Sequence, residues 1–192
     1  MYKIRNASIN DYEILVDLLI EAMGDIAYYL SGTSNQTQMR AILIYYYKSE
    51  LSRISYKNCF VIEKESAICG VILCYSGNDI EKLDNWTSEQ IFKNFNTKVV
   101  IDKECFEDEF YIDCICVDKH FRGKKISALL FSHAINHAKN LGFNKVSLIV
   151  DSNKEATKKY YHSLGFEKNT QLTINKHLYY HMTKDISNPP KY

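Results

Sequence analysis

No run of apolar residues in this chain approaches the roughly 20 that a helix needs to cross a bilayer, which excludes a membrane-spanning protein of that kind. The opening stretch, Met1 to Asn10, alternates polar and apolar residues instead of forming an apolar signal core, so a cytoplasmic location is expected. Charge of one sign is not in surplus: 24 Lys and Arg stand against 23 Asp and Glu, a formal net charge of +1. So small a net field cannot steer a polyanion, and nucleic acid is not expected as a partner. The six cysteines include no C-x-x-C pair. Cys114 and Cys116 share one face of a strand with no second ligand pair nearby, so no zinc site is expected. Most of the six sit in apolar runs such as Ala67 to Tyr75 and read as reduced core residues. Internal repeats and low-complexity segments are also missing.

What remains is 192 residues, 46% of them hydrophobic, which suits one compact domain over residues 1–186 with a loose tail over 187–192 that carries Pro189 and Pro190. Tyr2 to Ala7 alternates like a strand. Ser8 then precedes Asp11 by three residues, the capping-box spacing, and opens a helical stripe of Ile14, Leu15, Leu18, Leu19 and Ala22. A second helix is expected over 36–54, with an aromatic cluster at Tyr45, Tyr46 and Tyr47. Cys59 to Glu63 and Ile68 to Tyr75 predict an antiparallel hairpin. Residues 76–108 read as a surface insertion over the sheet, with one helix at 88–95. Strand 110–117, helix 122–141, strand 145–150 and helix 155–164 then alternate, which requires parallel neighbours in part of the sheet. Two closing strands follow, 167–173 and 177–184.

The chemistry concentrates where the strand ending at Val117 meets the helix beyond Arg122. The first N–H groups of a helix are unpaired and carry the positive end of its dipole, so such a turn can hold an anion. Lys119, Arg122, Lys124 and Lys125 add cations within seven positions. This stretch resembles the acyl-CoA-binding motif of the general-control-type N-acetyltransferase (GNAT) superfamily, a strand followed by Arg or Gln, two residues, Gly, one residue, then Gly or Ala. Tyr161-His162-Ser163-Leu164-Gly165-Phe166 resembles that family's second motif, Tyr, three residues, Gly-Phe. The resemblance implies a mixed α/β (α+β) domain whose mostly antiparallel, twisted sheet is splayed in the middle to admit acetyl-CoA. It also implies transfer of the acetyl group to an amine in a ternary complex, and makes a homodimer plausible. By the same resemblance Ile115, Cys116 and Val117 lie along the cofactor arm, and Arg122, Gly123, Lys124, Lys125, Ile126 and Ser127 surround the phosphates. Two departures stand out, Lys125 and Ser127 in place of the motif's small residues. If position 125 needs a left-handed backbone, a lysine there costs about 1–2 kcal/mol. The same departures would suit a non-catalytic acyl-CoA sensor, which is the alternative reading; a cysteine-dependent redox or metal protein has only Cys114 and Cys116 behind it.

Transfer requires a neutral amine and a proton for the departing thiolate. Tyr161 stands at the family's general-acid position, with Tyr160 beside it. Glu109 and Asp113, on one face with Tyr111, each have two open roles: drawing a proton through water, or a structural ion pair. Asn153 lies one position before the residue that the family pattern fills with Asn; it either reaches the cofactor or only caps the last helix. His133 and His137, at i and i+4, are expected to pack at a helix edge rather than bind metal, and His181 closes the last strand. Nothing in the sequence selects the acceptor: polyamine, amino acid, peptide N-terminus, lysine side chain and antibiotic amine all stay open.

Overall fold

The computed structural model describes residues 1–187. Seven strands form one sheet: β1 (Lys3–Asn6), β2 (Cys59–Lys64), β3 (Ala67–Ser76), β4 (Phe110–Val117), β5 (Lys145–Asp151), β6 (Glu167–Ile174) and β7 (His177–Asp185). Their spatial order is β1-β2-β3-β4-β5-β7-β6, and every neighbouring pair is antiparallel except β4 with β5. Among the described residues the six α-helices are α1 (Tyr12–Met23), α2 (Asp25–Ser31), α3 (Gln36–Lys48), α4 (Ile80–Phe95), α5 (Ile126–Asn140) and α6 (Glu155–Ser163). Period-two alternation along the strands sends apolar side chains to both faces of the sheet, so each face carries its own core. Leu15, Val16 and Leu19 of α1 and Leu43 of α3 pack with Val71, Leu73 and Tyr111 on one face. Leu130, Phe131 and Ala134 of α5 pack with Ile72, Ile112 and Phe166 on the other. Each fully buried Leu or Val is worth about 1.5–3 kcal/mol. No helix among the described residues is long and apolar enough to cross a membrane.

The Ser8–Asp11 capping box forms as its spacing predicts, with the Asp11 carboxylate accepting from the Ser8 N–H at 2.7 Å. Elsewhere the helix boundaries moved. The helix expected over 36–54 stops at Lys48, because the Ser52 and Ser55 hydroxyls accept the N–H groups of Ile54 and Lys57 and hold the chain in turns. These turns bury Arg53, which is 2% exposed. The short α2 has no counterpart in the sequence reading; it follows a break at Gly24 and buries Ala27, Leu30 and Ser31. The helix expected at 88–95 begins at Ile80, since Ile80, Leu83, Thr87 and Ile91 supply a buried stripe beneath a charged outer face.

The 76–108 segment is no surface insertion. Ile91 and Ile101 form a third cluster with Leu30, and Glu104 and Cys105 are buried. The loop is pinned at Gly77, whose N–H donates to the Glu109 carbonyl at 2.8 Å. A Cβ at that position would lie 1.9 Å from the Phe106 carbonyl oxygen, so only glycine lets the loop approach. All six cysteines are free thiols. His133 and His137 meet the edge of the Phe60 ring at 4.6 and 4.9 Å between centroids. The tail expected at 187–192 lies, except for Ser187, outside the described residues.

Candidate active site

β4 and β5 pair at only two positions, Phe110 with Val146 and Tyr111 with Ser147. Beyond Tyr111 they separate, β4 continuing along β3 to Val117 and β5 along β7 to Asp151. A bulge starts the separation. Ile112 pairs with Cys74 and Cys114 with Leu73, which leaves Asp113 as the extra residue and bends β4 away. The Asp118 N–H donates to the Cys69 carbonyl at 2.9 Å, so by alternation the Cys116 amide faces β3 while those of Ile115 and Val117 face the gap. The Val117 carbonyl there accepts from Arg122 Nε at 3.0 Å. Cys116 therefore turns its backbone away from the gap and its side chain into the α1 face core.

At the mouth of the gap the chain makes a short turn capped by the Asp118 carboxylate, and α5 starts at Ile126, not at Arg122. The delay has a cause: Lys125 holds φ 58° and ψ 21°, the left-handed conformation, directly before the helix. Gly123 is also at positive φ, 76°. No side chain caps α5, so the N–H groups of its first turn are open to an anion, as a phosphate-binding turn requires. Arg122 meanwhile pairs with Glu21 of α1, and Lys124 lies 5.0 Å from the Phe121 ring centroid. Ser127 Oγ is 2.8 Å from the Tyr160 hydroxyl, so these two bridge α5 and α6, and only the Ser127 N–H stays free for a ligand.

Within the gap is a cavity of about 130 Å³, lined among others by Glu104, Asp113, Ile115, Lys154, Tyr161 and Tyr179. The Tyr-x-x-x-Gly-Phe segment places Tyr161 there by its cap. Phe166 N–H donates to the Tyr161 carbonyl at 3.1 Å and Gly165 N–H to that of His162 at 2.9 Å, the paired bonds of a left-handed helix end. Gly165 takes the positive φ, 87°, that this end needs. Phe166, fully buried, then packs back against the Tyr161 ring. Burial pushes the Tyr161 phenol up to about 12. Tyr160 does not line the cavity.

The other candidates divide. Asp113 lines the cavity but is held by two partners, the Tyr75 hydroxyl at 2.7 Å and Arg53 Nε at 3.0 Å. Glu109 is turned elsewhere: it is 1% exposed, its Oε2 lies 2.9 Å from His181 Nε2, and it also accepts from the Phe106 N–H. The His181 bond is the main influence that, against burial, keeps its carboxyl below the usual range. His181 is fully buried in that pair. Asn153 sits in the exposed turn before α6 without capping it; Lys154 is at the cap position and lines the cavity.

Sequence reading missed Arg53 and Glu104. Arg53 Nη2 lies 2.9 Å from Glu104 Oε2 and 3.0 Å from Asp113 Oδ2, and Nη1 lies 3.3 Å from Asp84 Oδ1. One buried guanidinium thus serves three carboxylates. Burial pushes Asp84 up to about 7 and raises Glu104 as well, although Arg53 opposes both. No local pattern reveals this cluster, because its members come from a turn, a helix, a loop and a strand.

Comparison with known proteins agrees with this geometry. A model of the acetyltransferase (GNAT) family matches residues 20–166. A crystal structure of an acetyltransferase is 28% identical and superimposes with a TM-score of 0.78 over 96% of this chain and 100% of that one. An N-acetyltransferase from Staphylococcus aureus Mu50 is 24% identical, with a TM-score of 0.77 over 94% of this chain and 99% of its own. The PaiA N-acetyltransferase from Thermoplasma acidophilum, solved in complex with coenzyme A, shares the fold at 16% identity, with a TM-score of 0.57 over 96% of this chain and 99% of its own. No curated protein sequence matches. With its family motifs, its splayed sheet and a family match over most of its length, the chain belongs to the GNAT acetyltransferases, which transfer an acetyl group from acetyl-CoA to an amine.

Proposed function

We propose that the acyl donor lies in the gap between β4 and β5, and that Tyr161 supplies the proton its sulfur needs on departure. The observation that carries this reading is the meeting of three features at one place: a gap faced by the amides of Ile115 and Val117, an uncapped helix N-terminus at its mouth, and a phenol inside it. The residues fit the donor. Ile115 and Val117 have amides for the pantetheine arm, the turn from Gly123 to Ser127 offers N–H groups to the phosphates, and Arg122, Lys124 and Lys125 add cations. Acetyl-CoA supplies the activated acyl group, and this chain supplies position, charge and protons.

A phenol near 12 giving its proton to a thiolate near 8.5 would face about 3.5 pK units, roughly 5 kcal/mol. The cavity narrows that gap. The Cys114 thiol, which lines the same space, is itself pushed well above its ordinary value by burial, and a thiolate leaving into this space becomes a stronger base in the same way.

Transfer is direct from donor to amine. Incubation with acetyl-CoA followed by mass spectrometry is expected to show acetylated product from a panel of primary amines, and no acetyl group on the protein when the amine is left out. An acetyl-enzyme that forms without acceptor and then turns over would replace direct transfer by a covalent route. A protein that binds acetyl-CoA yet acetylates nothing would be a sensor.

The turn yields its own expectation. Arg122→Ala is expected to weaken CoA binding by about 1–3 kcal/mol, measured by calorimetry. Lys125→Gly removes the left-handed strain of about 1–2 kcal/mol, so affinity falls only if the ammonium is a phosphate ligand. Unchanged affinity in both variants would move the phosphate site elsewhere.

A further inference from the structure

We propose that Glu104 receives the acceptor: its free carboxylate oxygen binds a primary aliphatic amine as the ammonium ion and takes the proton that must leave before the nitrogen can attack. This rests on the transferase reading of the cavity and adds to it a residue that neither motif contains.

The geometry points to one oxygen. Glu104 is 2% exposed, and its Oε2 is engaged twice, by the Tyr111 hydroxyl at 2.7 Å and by Arg53 Nη2 at 2.9 Å. Its Oε1 is buried and has no hydrogen-bond partner among the described residues. Buried carboxylate oxygens without a donor are uncommon, because desolvation is then uncompensated. Glu104 also lines the cavity that contains Tyr161, so an unpartnered carboxylate oxygen belongs to a wall residue of that cavity.

Charge identifies the ligand class. Among the described residues Arg53 is the single cation bonded to Asp84, Glu104 and Asp113, so the cluster lacks positive charge, and an ammonium ion provides both the charge and the N–H donors. Met23, Ile26 and Ile149 give the cavity apolar walls suited to an alkyl arm. Its volume of about 130 Å³ is small, which favours a slender chain over a bulky ring. Lys154 is the cation among the lining residues, and it comes from the start of α6.

The proton balance closes. The ammonium gives one proton to Glu104, and the resulting amine attacks the thioester carbonyl carbon. The N–C bond forms, the C–S bond breaks, and the leaving sulfur takes a proton from Tyr161, which regains one from the nitrogen. Glu104 then releases its proton to solvent, so one ammonium and one thioester yield one amide, one thiol and one proton. The groups around Glu104 are Arg53 and Tyr111, which favour its ionised form, and Asp113, which with burial favours the protonated one; Asp84, Tyr29, Tyr179 and Cys105 are near enough to interact with it. Burial outweighs Arg53 and raises the carboxyl above its ordinary value, as a base operating near neutral pH needs.

The test uses Glu104→Gln with Asp84→Asn as its control, since Asp84 belongs to the same Arg53 cluster but does not line the cavity. n-Butylamine titrated calorimetrically into protein saturated with CoA should bind wild type and Asp84→Asn alike, and Glu104→Gln at least about tenfold more weakly. kcat/KM for n-butylamine should fall by about 10²-fold or more in Glu104→Gln. In wild type it should rise with pH through the Glu104 ionisation and then level; in the Gln variant it should keep rising as neutral amine accumulates. Acetyl-CoA binding should persist in both variants. Unchanged amine affinity and an unchanged pH profile in Glu104→Gln would overturn the proposal. So would equal losses in both variants accompanied by lower melting points, which would make the role structural. Preference for an aromatic amine over n-butylamine would refute the ligand class. Failure of wild type to bind acetyl-CoA would remove the transferase reading and this proposal together, a result visible before any amine is added.

Discussion

Tyr161→Phe is expected to lower turnover by about 10²-fold or more while leaving acetyl-CoA affinity nearly unchanged, because the variant loses one oxygen and keeps the ring that packs against Phe131 and Phe166. Packing and proton donation are separable here. The Schellman-type end of α6 is made by the backbone of Tyr161, His162, Gly165 and Phe166, so the substitution leaves the position of the ring intact. If the hydroxyl served stability alone, the melting point would fall and turnover per folded molecule would hold. A normal rate in a normally folded variant would assign the proton to water, since Tyr160 is engaged with Ser127 and lies off the cavity.

Arg53→Met is expected to cost about 3–5 kcal/mol or more, measured by urea unfolding at pH 8. Breaking a buried ion pair by removing one partner costs that much, and here one guanidinium holds three carboxylates. A domain of this kind has about 5–15 kcal/mol in total, so the variant would be close to unfolding. The pH dependence has a definite sign. Asp84 already titrates near 7 in the folded state against 3.8 unfolded, and loss of Arg53 raises it further. A carboxyl raised by folding binds its proton in the native state first, so stability declines as pH increases through that window. The deficit of Arg53→Met should therefore be largest above pH 7 and smaller near pH 5. A pH-independent deficit would mean that Arg53 acts by packing and not by charge.

The parts of the site legible in the sequence are those written locally. The Tyr161 to Phe166 segment forms one helix end, and its residue types encode that end directly: a C′ glycine, then an apolar residue that folds back on the third residue from the helix end. The basic turn was legible for a similar reason, since a strand end, a glycine and the apolar start of a helix lie within ten residues; a left-handed backbone at Lys125 entered only as a condition, and the structure has it. The capping box at Ser8 belongs to the same kind. The family resemblance put Ile115 and Val117 along the cofactor arm, though the bulge at Asp113 that turns them into the gap left no mark of its own.

What the sequence hid depends on distance along the chain. Arg53 and Asp113 are 60 residues apart, and nothing near either one signals the other. Arg53 looked like part of a helix because Ser52 and Ser55 end that helix through their side chains, and serine is compatible with either outcome. Glu104 lay in a segment of mixed polarity that resembled a surface insertion, because a buried charge cluster has the composition of a solvated loop. Glu109 attracted a catalytic reading by its place before β4, and its pairing with His181, 72 positions later, gave no local sign.

Calorimetric titration of the purified chain with acetyl-CoA, paired with a thermal melt, tests the central claim most directly. One acetyl-CoA should bind per chain, and the melting midpoint should climb with ligand, since a ligand at a hundredfold excess over its Kd adds about 2.7 kcal/mol to the native state. Absence of heat together with an unmoved midpoint at saturating acetyl-CoA would contradict the assignment of the gap between β4 and β5 as the site of the acyl donor.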